Sequence, residues 1–229
     1  MNKHIEKYRK NLELCQRVLK ECDSLNADCF LGIMKGVADK YMPKGESCRM
    51  EKYGRIVVQY GDFDYEELRG GFERSVNNVY CVELDKETGI KRKEYTMYSN
   101  SYGETINGPC AEYREDGSLK DFRDFSAIWN SDDYFCGEVY RFTRNGDVSM
   151  VSLADYCKHL SSDFVSLYED FYWKKGYTDN FNDFKAGLND RIVGLENDIK
   201  QAERHEKMMA ALKRFSKSST FLKKNSKHV

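Results

Sequence analysis

Hydrophobic positions at the N-terminal end of the chain recur with a helical period. Their alternating spacings of three and four residues predict an amphipathic helix from about Lys3 to Cys22. A second helix should follow, capped by Asn26 or Asp28 and ended by Met42-Pro43-Lys44-Gly45. The apolar stripe of the first helix consists of Ile5, Tyr8, Leu12, Cys15, Leu19 and Cys22.

The middle of the chain changes to a period of two, which is typical of β-strands. Strands are expected to begin near Lys52, and the pattern predicts them at Arg55–Tyr60, Val79–Leu84 and Ile90–Tyr98. The last of these is largely polar at 91–94, which favours a strand at the sheet edge or one with a solvated face.

Two linking stretches carry weaker signals. The acidic run Gly61–Glu67 is interpreted as opening a short helix, with Asp64 as its cap. Ser99–Gly108 is interpreted as a loop, and so is Phe122–Phe135, with one helical turn around Ile128-Trp129.

The strongest local signal is a pattern that occurs twice, at Tyr113–Leu119 and at Phe142–Val148. Each copy has an aromatic residue, then Asp-Gly or Asn-Gly, then a branched aliphatic residue. Such dipeptides between alternating apolar residues predict hairpins, with type I′ turns as the expected geometry. The pattern resembles the short hairpin repeats of MORN-type arrays at these two places. A stacking array needs at least about three units, so the resemblance implies shared turn chemistry and no function.

From Ala154 the period becomes helical again. A stripe through Cys157, Leu160 and Phe164 predicts a helix that ends at Lys174-Lys175-Gly176. The longest helix is predicted from about Phe184 to Phe215, and it should pack antiparallel on the N-terminal helix or pair with a second copy. Its heptad positions are Leu188, Ile192, Leu195, Ile199, Ala202 and Met209, and after Glu206 the stripe shifts to Met208, Leu212 and Phe215.

Together these elements predict an α+β fold. An antiparallel β-meander of hairpins at about 52–153 is packed by N-terminal and C-terminal helices, with a long coiled-coil-like helix at the C-terminal end. The predicted organisation is an α+β body at 1–182, comprising helices at 3–41, the meander and a helix at 154–174. The long heptad helix at 183–215 and a flexible basic tail at 216–229 follow the body.

Composition supports a packed protein of the cell interior. Hydrophobic residues make up 40% and aromatic residues 14% of the 229 positions, enough for a sizeable core. The charged start of the chain is unlike a secretion signal, and no apolar run reaches the roughly 18 residues of a membrane span. We therefore expect the eight cysteines to be reduced and the protein to be cytoplasmic, with no membrane partner.

Charge is distributed unevenly along the chain. The formal net charge is −1. From Lys207 to the end there are seven basic residues and no acid, which leaves −8 for residues 1–206. The basic residues, which are the candidate contacts for a partner or a nucleic acid, are Lys207, Lys213, Arg214, Lys217, Lys223, Lys224 and Lys227.

Known catalytic and metal-binding patterns are missing from the sequence. There is no Cys-x-x-Cys pair, and Cys157 and His159 would lie on different faces of the helix predicted there, so neither a metal site nor a cofactor is expected. Phosphate-binding glycine motifs and a Gly-x-Ser-x-Gly elbow are also missing. The remaining candidates for chemistry are Cys110 and Cys136, which border predicted turns, and His159.

Three functional hypotheses follow. The leading one is a non-enzymatic cytosolic interaction protein that binds, and inhibits or regulates, a protein or ribonucleoprotein partner. The Lys-, Asn- and Tyr-rich, proline-poor composition is compatible with an AT-rich microbial or phage genome and suggests an inhibitor of phage or mobile-element type. The alternatives are nucleic-acid binding through the basic C-terminal segment, and a small enzyme with a noncanonical Cys/His site. Homodimerisation through the C-terminal helix is compatible with the first hypothesis.

Overall fold

The computed structural model describes residues 3–61, 65–68, 71–74, 79–100, 103–125, 138–153, 157–175 and 180–225, with the backbone alone at 47, 65–68, 71–74, 98–100, 103–105, 172–175 and 215–225. The chain forms two compact units. One comprises Met1–Lys20 with Lys185–Val229, and the other comprises Glu21–Phe184. The fold class is α+β, as the sequence predicts.

The described residues form four α-helices. Helix α1 spans Lys3–Ser24, α2 spans Ala27–Tyr41 and continues into a 3-10 turn at Met42–Lys44, α3 spans Ser162–Lys175 and α4 spans Phe181–Asn225. The predicted cap at Asn26 is confirmed, because its side chain accepts a hydrogen bond from the amide of Cys29 at 3.1 Å.

An eight-stranded antiparallel sheet dominates the larger unit. Its spatial order is β1-β2-β5-β6-β7-β8-β9-β10, and β3 and β4 form a separate two-stranded sheet. Adjacent strands of the large sheet are consecutive in sequence apart from the insertion of β3 and β4, so the predicted meander is confirmed. The strands are β1 Glu46–Lys52, β2 Arg55–Tyr60, β3 Tyr65–Leu68, β4 Gly71–Arg74, β5 Val79–Asp85, β6 Lys91–Asn100, β7 Gly103–Tyr113, β8 Leu119–Phe125, β9 Val139–Phe142 and β10 Val148–Ser152.

Both predicted hairpins are present, but their turns are not of type I′. In the first, the amide of Gly117 donates to the carbonyl of Arg114 at 3.0 Å and only the glycine has positive φ, at 80°. This is a type I turn followed by a left-handed glycine, the geometry that a longer hairpin loop favours. The second hairpin repeats it at Gly146, whose φ is 88°. The two-residue turn with positive φ at both positions lies instead at Tyr53 and Gly54, with φ values of 53° and 72°.

Aromatic residues fill the space between α2 and one face of the sheet. The ring of Phe30 lies 4.7 Å from that of Phe122, 4.3 Å from that of Tyr140 and 5.3 Å from that of Phe142. All four side chains are almost fully buried. Because aromatic rings bury large areas, this cluster is the centre of the core of the larger unit.

Several sequence interpretations are wrong in detail. The polar segment Glu46–Lys52 is a strand, and so is Tyr65–Leu68, where the acidic run predicted a helix. The loop predicted at Ser99–Gly108 is mostly strand, because β6 ends at Asn100 and β7 begins at Gly103. The polar strand β6 is flanked by β5 and β7, which excludes the sheet edge and leaves the other alternative, a partly exposed face, at residues 91–93.

The segments on either side of the second hairpin also differ from prediction. Phe122–Phe125 belongs to β8, and the rest of the loop predicted at Phe122–Phe135 lies outside the described residues. Helix α3 begins at Ser162, so Cys157 and Leu160 precede it. The side chain of Ser161 accepts the amide of Phe164 at 3.1 Å and caps the helix there. Helix α4 begins three residues earlier and continues ten residues further than predicted.

Candidate functional site

Helices α1 and α4 pack antiparallel within the smaller unit. A guanidinium nitrogen of Arg9 lies 2.7 Å from a carboxylate oxygen of Glu203, and Cys15 lies within the electrostatic reach of Arg191. Residue numbers therefore increase along α1 in the direction in which they decrease along α4. Ile5, Val18 and Leu188 are buried, whereas the Arg9–Glu203 pair is half-exposed and contributes little. Apolar packing holds the two helices together, as the matching stripes predict.

Helix α1 packs along only part of the length of α4. Helix α1 begins at Lys3, six residues before Arg9, so its first turn lies opposite about residue 209 of α4. Every described side chain from Arg204 to Arg214 is exposed. We call residues 207–225 the distal end of α4; at 1.5 Å per residue it is about 28 Å long.

Large apolar side chains are exposed on this distal end. Met208 is 54% exposed, Met209 41% and Leu212 55%. Soluble proteins seldom leave such residues adjacent to one another without a reason, because each exposes surface that burial would stabilise. Met208 and Leu212 are four residues apart and share one side of the helix, so these two side chains form a candidate contact surface, which we call the apolar strip.

The apolar strip does not continue the stripe that faces α1. Ile199 is on the half-buried side of α4, and Met208 is nine residues later, which at 100° per residue turns it to about the opposite side. Lys213 is 14 residues after Ile199 and returns to within about 40° of it. Beyond the cover of α1, a basic residue thus occupies the former inner side of the helix, and apolar residues occupy the former outer side.

The predicted basic residues divide into three groups. Lys207, Lys213 and Arg214 are exposed on the helix beside the apolar strip. Lys217, Lys223 and Lys224 lie on the helical backbone of α4, whose side chains are described only as far as Arg214. Lys227 lies outside the described residues. The structure therefore places six of the seven bases on one continuous helix.

A second constellation lies in the larger unit, at the segment before α3. Glu138, almost fully buried, accepts hydrogen bonds from the amides of Lys158 and His159, the latter at 2.7 Å, and from the hydroxyl of Tyr140 at 2.7 Å. Nε2 of His159 lies 2.8 Å from Oδ2 of Asp124, which is also buried. We call Asp124, Glu138 and His159 the buried acid cluster.

Electrostatics at this cluster favour the charged form of Asp124. Burial alone would raise the pKa of its carboxyl group, but the hydrogen bond from His159 and the positive charges of Lys158 and His159 hold that pKa below its usual value. The carboxylates here bind backbone amides and side chains of the chain itself. The geometry therefore fastens the segment 157–161 to the sheet.

Another buried carboxylate is satisfied in the same way. Glu94 on β6 accepts hydrogen bonds from the hydroxyls of Tyr80 and Tyr113, and the ammonium group of Lys91 lies 2.8 Å from it. Burial, together with the neighbouring carboxylate, raises the pKa of both tyrosines. Both hydroxyls are thus kept protonated as donors to Glu94, which suits a structural role.

The Cys/His hypothesis gains no geometry from the structure. Cys110 pairs with Arg123 across β7 and β8, whereas the ring of His159 packs on Phe122, whose side chain lies on the other face of the sheet. Cys110 is buried and not exposed as its place beside a turn suggests, and burial raises the pKa of its thiol to about 12. Cys136 lies outside the described residues.

Sequence reasoning missed the acids of the buried cluster. Asp124 and Glu138 are far from His159 along the chain, and nothing local marks either of them as buried. One available signal was Ser161-Ser162-Asp163, which has the composition of a helix start and places His159 before α3 rather than on it. With that boundary, the segment 157–160 becomes a loop that needs external hydrogen-bond partners.

Neither a metal-binding group nor a membrane-spanning helix is found in the described part of the chain. Within it, no three His, Cys, Asp or Glu side chains come together as a metal-binding group. No helix among the described residues combines the length and apolarity needed to cross a bilayer.

Comparisons of this chain with protein-family models, with curated proteins and with solved structures find no match. Of the two constellations, the buried acid cluster uses its polar groups internally. The distal end of α4 is the one that presents chemistry to the outside.

Proposed function

We propose that this chain is an interaction protein that docks on an acidic, apolar-grooved surface of a partner protein through the distal end of α4. The observation that supports this is the apolar strip Met208 and Leu212, exposed on the side of the helix opposite to the one that α1 covers. An apolar helix face of this kind fits helix-in-groove recognition.

The spacing and chemistry of the strip suit this mode of binding. Met208 and Leu212 are four residues apart, so they lie on one side of the helix and can enter one groove together. Methionine side chains are flexible and polarisable, which lets them adapt to an irregular groove. A helix that fills a groove excludes other ligands of that groove, and this is how an inhibitory role would arise.

The basic residues beside the apolar strip would orient the partner on this surface. Lys207, Lys213 and Arg214 flank the strip, and no acid occurs from Lys207 to the end of the chain. Acidic residues at the rim of the groove would complement these bases, speed the encounter and disfavour basic partners. The apolar strip favours a protein over a nucleic acid, because phosphate contacts use the bases and leave the apolar side chains in water.

Two double variants separate these contributions. The first, Met208→Ser with Leu212→Ser, removes the apolar strip and keeps every charge. The second, Lys213→Gln with Arg214→Gln, removes two charges and keeps the strip. Leu31→Ser, a partly exposed position on α2, serves as the matched control. Each protein is immobilised and exposed to nuclease-treated lysate of the source cells, and each is titrated with a fluorescent duplex DNA.

The proposal predicts that a discrete protein is retained by the parent chain and by Leu31→Ser, and is lost from the apolar variant. The charge variant should retain less of the same protein, more so at high salt. The opposite pattern would establish the nucleic-acid alternative. In that case, DNA binds more tightly than about micromolar, weakens steeply with salt, depends on Lys213 and Arg214 and ignores the apolar variant.

A further inference from the structure

The charges along α4 are segregated in a way that bears on the partner. Residues 181–199 carry four acids and two bases, a net charge of −2, whereas the distal end at 207–225 carries six bases and no acid. Two such helices side by side in parallel would bring like charges together. In antiparallel order, the basic distal end of each would lie along the acidic half of the other.

The outer side of that acidic half also carries a small, open position at Gly194. Gly194 is exposed within α4, and a Cβ placed on it would meet nothing within 4 Å. A glycine inside a helix costs about 1 kcal/mol relative to alanine, and no contact within the described chain calls for it. Val193 beside it is 57% exposed, although it is apolar.

These features lie on the same side of the helix as the apolar strip. Gly194 and Leu212 are separated by 18 residues, which is about five full turns, so they point in the same direction. Met208 is within about 40° of that direction. One side of α4 therefore carries a small, open position in its acidic half and large apolar side chains in its basic half.

We propose that the apolar strip docks on α4 of a second copy of this chain in an antiparallel pair, with Leu212 of each copy over Gly194 of the other. This inference rests on the proposed function and identifies the docking partner as a second copy of the chain. The shape match places a large side chain over a missing one, and the charge match places six bases beside a net-acidic segment. In this register Lys213 of one copy lies within about one turn, along the pair, of Asp190 of the other.

The pairing is tested on the full chain by sedimentation equilibrium. The parent protein should be a dimer, and Leu212→Ser should raise its dissociation constant at least about tenfold, whereas Leu212→Met should preserve it. Gly194→Gln should also weaken the dimer, although glutamine is a good helix former and should not harm the monomer. Raised salt should weaken the dimer further. Circular dichroism checks that each variant keeps its helix content.

The antiparallel order is tested by cross-linking in a background with exposed Cys29 replaced by serine. A mixture of Gly194→Cys and Leu212→Cys proteins should form a disulfide between the two new cysteines, identified by mass spectrometry of the linked peptides. Leu212→Cys alone should not link to itself, because the two positions would lie about 27 Å apart along the pair. A link between two Leu212→Cys copies would establish parallel pairing and overturn the proposal.

If the parent chain stays monomeric at about 100 µM, the proposal that a second copy is the docking partner is wrong. If that monomer still retains a different protein through Leu212, the proposed function stands without the dimer. If the apolar variant retains the same protein as the parent chain, the proposed function fails as well, so the two failures are distinguishable.

Discussion

The buried acid cluster and the distal end of α4 use their side chains in opposite ways. At the cluster, charged groups that water would normally solvate are buried, and each has partners supplied by the chain. At the distal end, apolar side chains that a core would normally hold are exposed. A buried polar group is stable only if it is paired, and an exposed apolar group gains only when something covers it. The first pattern indicates a structural role, and the second is the feature that supports the proposed docking surface.

The largest expected effect lies in the aromatic core beside the cluster. Phe30→Ala should lower the free energy of unfolding by about 4 kcal/mol, because it leaves a cavity between the rings of Phe122 and Tyr140. Chemical denaturation measures the change. Leu31→Ala is the control on the same helix, and with its side chain 36% exposed it should cost much less. Equal losses for the two variants would mean that α2 does not present Phe30 to the sheet.

Glu138→Ala should rank next, with a loss of about 3 kcal/mol. The substitution leaves the amides of Lys158 and His159 and the hydroxyl of Tyr140 without their acceptor. Glu138→Gln keeps one acceptor oxygen and should lose less. If alanine costs under about 1 kcal/mol at this position, the segment before α3 is not fastened by this carboxylate, and the contrast between the two regions weakens.

Lowering the pH should reduce the free energy of unfolding gradually, and by less than the substitutions above, because it protonates Asp124. The pKa of Asp124 is lowered in the folded chain, so its contribution to stability is complete above the unfolded value of 3.8 and is lost as pH falls through the folded value. The free energy of unfolding should therefore decline below about pH 4. Asp85 titrates near its pKa of about 2 and extends the decline. Denaturation at several pH values should show a shallower slope for Asp124→Asn, and an unchanged slope would contradict this account.

The sequence predicted the elements whose signals are local. Hydrophobic periodicity located α1, α2 and α4, and the two glycine-containing turns located the hairpins, because those signals lie within a few residues. The turn type was wrong because five residues separate Tyr113 from Leu119, and a loop of that length adopts a type I turn before Gly117. Strand β1 was missed because pairing with β2, and not its own polar composition, makes it a strand.

Part of the candidate site was predictable because its signals, too, are local in the sequence. The run of bases and the shift of the apolar stripe after Glu206 are visible in the sequence, so the distal end of α4 could be recognised before its exposure was known. What sequence could not supply is the point at which α1 ceases to cover α4. That depends on the Arg9–Glu203 register. Asp124, Glu138 and His159 come together only through strand pairing and chain reversal, which no local pattern encodes.

The smallest expected effect on stability gives the sharpest test of the difference between a buried and an exposed region. It comes from making the same leucine-to-serine substitution on the exposed side and on the buried side of α4. Leu212→Ser should change the free energy of unfolding of the monomer by no more than about 0.5 kcal/mol, since its side chain is already 55% exposed. Leu188→Ser should cost about 3 kcal/mol, because Leu188 is fully buried and serine adds a polar group to the cavity. Denaturation of both variants at about 1 µM gives the comparison, since a self-association of modest affinity is dissociated there. A loss at Leu212 as large as that at Leu188 would show that Leu212 is packed within the monomer, and the distal end of α4 would then be part of the core rather than a surface for docking.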